Sequence, residues 1–285
     1  MVAPITLLTR KHSPARAVAP AQPRAVGAAH VAVRARDGRT ALADLRQSGC
    51  LKLVFPTTHR PEAEAVLVNT AGGVTGGDRL ALSAEVGADA RLTVTTQAAE
   101  RLYRATAGSQ GNIQNTLSVG QGGHLNWLPQ ETIVFDHAAV SRRLQISLAR
   151  DATAVMVETL IFGRTAMGER VACVDLWDRI AIDRAGSPIF RDAVRLSGDA
   201  SRSLRGAATG AGACAVSSIV MVGPQAPALL GQVRALLPVT GGASLLAADV
   251  LVVRLLAADG LALRRSLIPI LDRLTHQSLP TVWRL

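Results

Sequence analysis

The sequence predicts a mainly β fold, a large sheet-rich domain with two helices in its C-terminal third. Three observations predict it. Apolar residues recur at period two in short runs closed by Gly, Pro or Asp. Helical spacing appears only after Pro224. The chain has 285 residues, 48% of them hydrophobic and only 18% charged, which is enough for a sizeable core and too apolar for intrinsic disorder.

Taken in order, residues 1–28 mix Ala, Pro and Arg without period and read as a flexible basic tail ahead of a single domain over 29–285. His30–Arg36 puts Val31, Val33 and Ala35 on one face, and Asp37-Gly38 then supplies a turn. Further runs lie at Leu51–Phe55, Glu64–Asn69, Arg79–Val86, Arg91–Thr96, Asn112–Val119, His124–Leu128 and Thr132–Phe135. Their spacing of about ten to fifteen residues suits successive antiparallel strands. Arg143–Arg150 alternates most cleanly, with Leu144, Ile146 and Leu148 against Arg143, Gln145 and Ser147, so one face is buried and the other wet. Val155–Phe162 is apolar nearly throughout and reads as a central strand covered on both faces. Val171–Ile182 alternates again, and Asp249–Ala257 reads as another buried strand. No repeat of fixed sequence period is visible. Helices are expected near 226–237, with Leu229, Leu230 and Val233 in its stripe, and near 261–274, with Leu263, Leu267, Ile270, Leu271 and Leu274 on one face and Pro269 kinking it.

Thirty-one basic residues face 21 acidic ones, a net charge of +10. That balance fits either a nucleic acid or an acidic protein partner. Only 3% of residues are aromatic, with one tyrosine, Tyr103, which argues against stacking recognition of single strands. Cys50, Cys173 and Cys214 are far apart and form no CxxC pair, so a disulfide framework or zinc ribbon is not expected. No apolar run approaches the ~20 residues of a membrane-spanning helix. Arg10 and Lys11 lead into Pro14, Pro20 and Pro23 instead of an apolar stretch, so no secretory signal is read and the cytoplasm is the expected compartment.

Three segments carry the candidate chemistry. The first, Asn69–Asp78, holds Gly72, Gly73, Gly76 and Gly77, but Asp78 stands where a phosphate loop needs lysine, and no helix follows. Its glycines serve a tight strand connection, or the loop presents Asp78 to a cation or partner. The second, Leu125–His137, holds Glu131 and Asp136, which lie five apart and so point to opposite faces of a strand. His124 and His137 flank it without any metal-ligand spacing. The third, Glu158–Glu169, ends a buried strand at Gly163-Arg164. It is read either as an Arg164-to-carboxylate pair holding a turn or as a polar channel of Glu158, Arg164 and Glu169. No GxSxG elbow or Cys/His pair nominates a nucleophile.

Five segments together resemble the UreD (UreH) family of urease accessory proteins: Asn69–Leu80 (NTAGGVTGGDRL), Thr95–Ala105 (TTQAAERLYRA), Leu125–Asp136 (LNWLPQETIVFD), Gly163–Glu169 (GRTAMGE) and Pro280–Arg284 (PTVWR). The resemblance runs from about residue 28 to the C-terminus and is loose over 199–260. It implies a β-helix-like single domain with two C-terminal helices and a non-enzymatic role in urease maturation. The implied partners are UreF, the GTPase UreG reached through UreF, and the urease apoprotein, with no nucleic acid and no membrane. The implied cargo is Ni²⁺, passing transiently and not stably bound. By position, Asp78, Glu131, Asp136 and Glu169 match the family's motif carboxylates along an internal nickel passage. Dispersed carboxylates suit such transit better than a closed His/Cys site. The stripe of Leu229, Leu230, Val233, Leu267 and Leu271 is the expected docking surface for UreF, with ordinary core as the other reading. Two alternatives remain, a metal-dependent hydrolase using Asp78, Glu131 and Asp136 with a flanking His, and a basic nucleic-acid-binding module.

Overall fold

The computed structural model describes residues 23–164 and 167–284. Most of the expected tail, residues 1–22, lies outside them, and the first strand begins at Val26, so that its first three residues fall in the stretch assigned to that tail. β1 (Val26–Arg36) and β2 (Arg39–Gly49) form a hairpin whose turn residues, Asp37 and Gly38, both have positive φ, at 50° and 73°. That is the turn class whose twist matches the strands. β3 (Leu51–Val54) then pairs antiparallel with β4 (Ala63–Asn69).

From β4 the chain winds instead of folding back. It runs through β5 (Arg79–Val86), β6 (Arg91–Thr96), β7 (Glu100–Leu102), β8 (Gly111–Val119), β9 (His124–Leu128), β10 (Thr132–Val134), β11 (Ala139–Leu148), β12 (Thr153–Phe162) and β13 (Val174–Arg184). β1, β5, β8, β11 and β13 are parallel neighbours in one sheet; β4, β6, β9 and β12 are parallel neighbours in the other. The result is a β-solenoid of about four turns, as the family resemblance implies, and not the succession of antiparallel strands that spacing suggested. Spacing cannot separate the two, because a connection of several residues serves equally to reverse a strand or to cross the ~10 Å between packed sheets.

The crossings from the first sheet to the second are regular. Each takes four residues, at 87–90, 120–123 and 149–152, and each opens with an N–H donated to the turn below: Gly87 to Val33, Gly120 to Val86, Ala149 to Val119. The return crossings are not regular, which removes any fixed period. Inward side chains stack rung on rung. Val31, Ala84, Leu117, Ile146 and Ile182 form one row, and Ala65, Val94, Trp127 and Met156 face them from the other sheet.

After β14 (Ser187–Gly198) and a single turn, α1 (Ala200–Ser203), the chain extends the second sheet with β15 (Ala215–Val222), β17 (Val250–Ala257) and, at its edge, β16 (Gly241–Ala247). α2 (Ala226–Leu236) and α3 (Gly260–Leu274) cover the outer face of that extension, close to the expected ranges. Val155 and Val157 of β12 point to this second core while Ala154 and Met156 point to the first, so β12 is covered on both faces as expected. The same packing corrects the expected docking stripe. Leu229, Val233, Leu267 and Leu271 are buried in the second core and Leu230 is half-buried against it, so these side chains hold the helices to the sheet and offer no free surface. Apolar side chains at helical spacing look alike whether the covered face is a partner or the chain's own sheet. No helix among the described residues is long and apolar enough to cross a membrane.

Candidate functional site

Between the sheets, one row of the solenoid is charged. Along the first sheet the inward positions read Leu80, Ile113, Arg142, Asp178, so two ionised side chains continue a column begun by apolar ones. Arg142 grips Asp178 with two hydrogen bonds, Nε to Oδ1 at 2.9 Å and Nη2 to Oδ2 at 2.5 Å, and donates from Nη1 to Thr132 Oγ1 at 2.9 Å. Across the gap, Glu158 of β12 accepts from Trp127 Nε1 at 2.8 Å and brings Oε2 to 2.7 Å from Arg142 Nη1. That oxygen accepts no aligned hydrogen bond. All three charged groups are buried. Two carboxyl groups thus share one guanidinium. Burial pushes the Glu158 carboxyl above its ordinary range; Arg142 opposes that and Asp178 adds to it, while Asp178 and Glu158 hold Arg142 firmly protonated.

Beside this cluster is a cavity of about 60 Å³, lined on its polar side by Glu100, Asn115, Gln130, Thr132, Arg142 and Glu158. It is large enough for water. A depression of about 200 Å³ at the surface, bordered by Asn69, Gly72 and Gln97, shares Leu67, Thr96 and Glu100 with the cavity. Glu100 therefore stands between solvent and the interior. Burial raises its carboxyl, against hydrogen bonds from Asn69 Nδ2 at 3.1 Å and the Arg101 backbone.

The structure separates the carboxylates singled out from sequence. Asp78 is buried and spent on backbone: Oδ1 accepts from Ala25 N and Oδ2 from Thr75 N, both at 2.8 Å, which ties the glycine loop to the start of β1. The glycines have steric reasons of their own. Gly72 and Gly77 have φ of 75° and 91°, and a Cβ on Gly73 would lie 2.2 Å from the Tyr103 ring. Asp78→Ala strands two backbone donors and is expected to cost about 1–3 kcal/mol in urea unfolding, with Asp78→Asn recovering part of it.

Glu131 pairs with Arg264 of α3 at 2.8 Å, beside Gln130, which the same Nη1 also meets at 2.8 Å. Asp136 and Glu169 do come together, in a corner at the end of β10 and β12. Asp136 Oδ1 accepts from Cys173 N at 2.8 Å, and Asp136 N donates to Glu169 Oε1 at 3.3 Å. Arg164 closes the corner with Nε 2.7 Å from Glu169 Oε2, and its guanidinium lies 4.5 Å from the centre of the Phe135 ring. The Arg164 hydrogen bond holds the Glu169 carboxyl below its usual range. The channel of Glu158, Arg164 and Glu169 is thus corrected: Arg164 and Glu169 pair in this corner, while Glu158 belongs to the interior cluster. Nor do Asp78, Glu131 and Asp136 meet, as the hydrolase alternative requires. Among the described residues no group of three or more His, Cys, Asp or Glu is placed to hold a metal ion.

With this geometry in place, the family model for the UreD urease accessory protein matches residues 25–284. The chain belongs to the UreD urease accessory protein family. It is 51% identical over 97% of its length to a urease accessory protein UreD of Ruegeria sp. strain TM1040, covering 96% of that protein. A UreD of Roseobacter denitrificans is 49% identical over 93% of this chain and 96% of its own, and one of Rhizobium rhizogenes 43% identical over 92% and 96%. The chain is accordingly a non-catalytic accessory protein of urease maturation, a chaperone for nickel insertion into urease in the cytoplasm. The residues that sequence reasoning missed are Glu100, Arg142 and Asp178. A signal existed for two of them: Arg142 and Asp178 occupy inward positions in strands whose other inward residues are apolar, and a charge there is costly unless paired.

Proposed function

We propose that this UreD-family chain gives Ni²⁺ a polar path through its solenoid, between a GTPase-bearing UreF–UreG assembly and the urease apoprotein. The observation that supports it is that the surface depression and the interior cavity share Glu100 in their linings, with Glu158 beyond. A divalent cation needs oxygen donors at each step without a complete site that would trap it. Glu100 and Glu158 supply single carboxylates, Gln130 and Thr132 neutral oxygens, and Glu131 stands next to Gln130 on the α3 side. Asp136 and Glu169 add two more carboxylates at the corner where sequence motifs converge, held there by the Asp136 N–H donated to Glu169 Oε1. In this reading Asp78 serves by fixing the loop that borders the entrance.

The test compares urease matured in cells carrying wild-type chain or single variants, with nickel per urease active site measured by elemental analysis. Glu100→Gln, Glu158→Gln, Asp136→Ala and Glu169→Ala are each expected to leave the chain folded and bound to its partners while lowering nickel content several-fold. Unchanged nickel content in all four would defeat the path. Failure of the wild-type chain to co-purify with urease subunits or with UreF would defeat the partner assignment.

A further inference from the structure

The outer face of the first sheet holds a second feature, unconnected with the cavity. Strand register sets Arg143 of β11 directly beside Arg179 of β13, on backbones about 4.8 Å apart. Like charges so placed repel. Neither is relieved by an ion pair among the described residues: Arg143 reaches Gln145 Oε1 and Arg179 reaches Ser141 Oγ, both at 3.4 Å. The Arg179 guanidinium lies 3.8 Å from the centre of the Trp177 ring, and its Nε is buried with no acceptor. Neighbouring cations on the same face are matched, Arg191 to Asp183 and Arg195 to Asp175. Arg143, Arg179 and Arg191 border an open depression of about 520 Å³ together with Ala181, Ala193 and Asp192, the last paired with Arg254, and Trp177 on the same face is 41% exposed.

We infer that Arg143, Arg179 and Trp177 form a docking surface for a carboxylate-bearing segment of a protein partner. Two adjacent guanidiniums without counter-ions complement two carboxylates, and Arg with Trp is the pairing that protein interfaces favour at their energetic centres. Ala181 and Ala193 leave room for a backbone to approach. A nucleic acid fits less well. Asp175 and Asp183 on the same face would repel a uniform polyanion, and Arg179 already covers the face of Trp177 on which a base would stack. The surface goes beyond the nickel path and does not depend on it.

Placing the photocrosslinker p-benzoylphenylalanine at position 197, an exposed site on the same face of β14 that leaves Ala193 in place, tests the assignment. The full-length chain is expressed with the urease operon, irradiated, and its adducts identified by mass spectrometry. The expected adduct is a peptide containing Asp or Glu. Its yield is expected to fall about tenfold in Arg143→Glu/Arg179→Glu, where attraction becomes like-charge repulsion, and to stay unchanged in Arg150→Glu/Arg205→Glu, which alters net charge equally. Circular dichroism confirms that both double variants fold. No adduct, an adduct with nucleic acid, a peptide without carboxylates, or equal yield in the two double variants would each overturn the inference. Nickel content is not the readout, so failure of the nickel path leaves this test standing.

Discussion

Arg142→Met is expected to lower the stability of the domain by about 3–5 kcal/mol, the cost of leaving buried carboxylates without their cation. Asp178 loses a bidentate partner and Glu158 the one cation paired with it among the described residues, beside a cavity of only about 60 Å³. The loss is read from urea unfolding followed by circular dichroism. The triple variant Arg142→Met/Glu158→Gln/Asp178→Asn removes all three charges and is expected to recover a large part of the loss, since the penalty comes from unpaired charge and not from lost volume. The pH dependence has a definite sign. Glu158 titrates above its ordinary value in the folded chain, so between that ordinary value and its raised one the folded state binds more protons than the unfolded state. Stability from this group is present at low pH and declines as pH rises through the raised value. Arg142 works against that rise, and without it the window widens. Arg142→Met is therefore expected to weaken with increasing pH from 5 to 8 more steeply than wild type. Equal slopes would show that the cluster is not charged as described.

The same row shows how far the sequence could be read. A strand with one buried face, Arg79–Val86, stands at its expected bounds because burial on a single face imposes period two; Arg91–Thr96 does so because its apolar residues still alternate with threonines, although those are buried as well. β2 and β16 lie at sheet edges with most residues exposed on both faces, so nothing enforces alternation there. β15 is buried on both faces and equally lacks it, since its AVSSIVMV run could belong to strand or helix. The winding was not legible because the returns between sheets vary: 70–78, 103–110, 135–138 and 163–173 have four different lengths. The regular four-residue crossings opened by Gly87, Gly120 and Ala149 are the repeat, but with no common return length they never accumulate into a period. At the site, the family motifs singled out Asp136 and Glu169 without relating them to each other; the structure brings them to one corner, where Gly163 (φ 79°) turns and an added Cβ would meet Glu169 O at 2.7 Å. The interior cluster fell outside those motifs. Arg142 and Asp178 are 36 residues apart and meet only through the parallel pairing of β11 and β13, which no local pattern announces.

Trp283→Ala is expected to cost about 3–5 kcal/mol as a large-to-small change in a packed core, although only Arg284 and Leu285 follow it in the sequence. The indole is fully buried in the helix-side core and donates from Nε1 to Leu128 O at 3.0 Å. Arg264 of α3 ties the same residue down twice, stacking 4.9 Å from the ring centre and donating to the Trp283 carbonyl at 2.8 Å. Its other amino group holds Gln130 and Glu131. One side chain thus clamps the C-terminal turn, α3 and the segment between β9 and β10. Thermal unfolding should show the midpoint falling by roughly 10 °C. Trp283→Phe keeps most of the volume and loses the hydrogen bond, so its loss should be the smaller. Trp177→Ala is the contrast, because that ring is half in water on the outer sheet face and its removal should shift the midpoint little. Since Gln130 also lines the cavity, a second consequence follows from the clamp. Loss of Trp283 should expose Glu131 and Gln130 to exchange with solvent, seen as faster amide hydrogen exchange across 128–132, before the solenoid rows of Leu117 and Ile146 are affected. Exchange that rises equally in both regions would mean that α3 and the solenoid unfold as one unit, and that the C-terminal turn has no separate hold on the cavity wall.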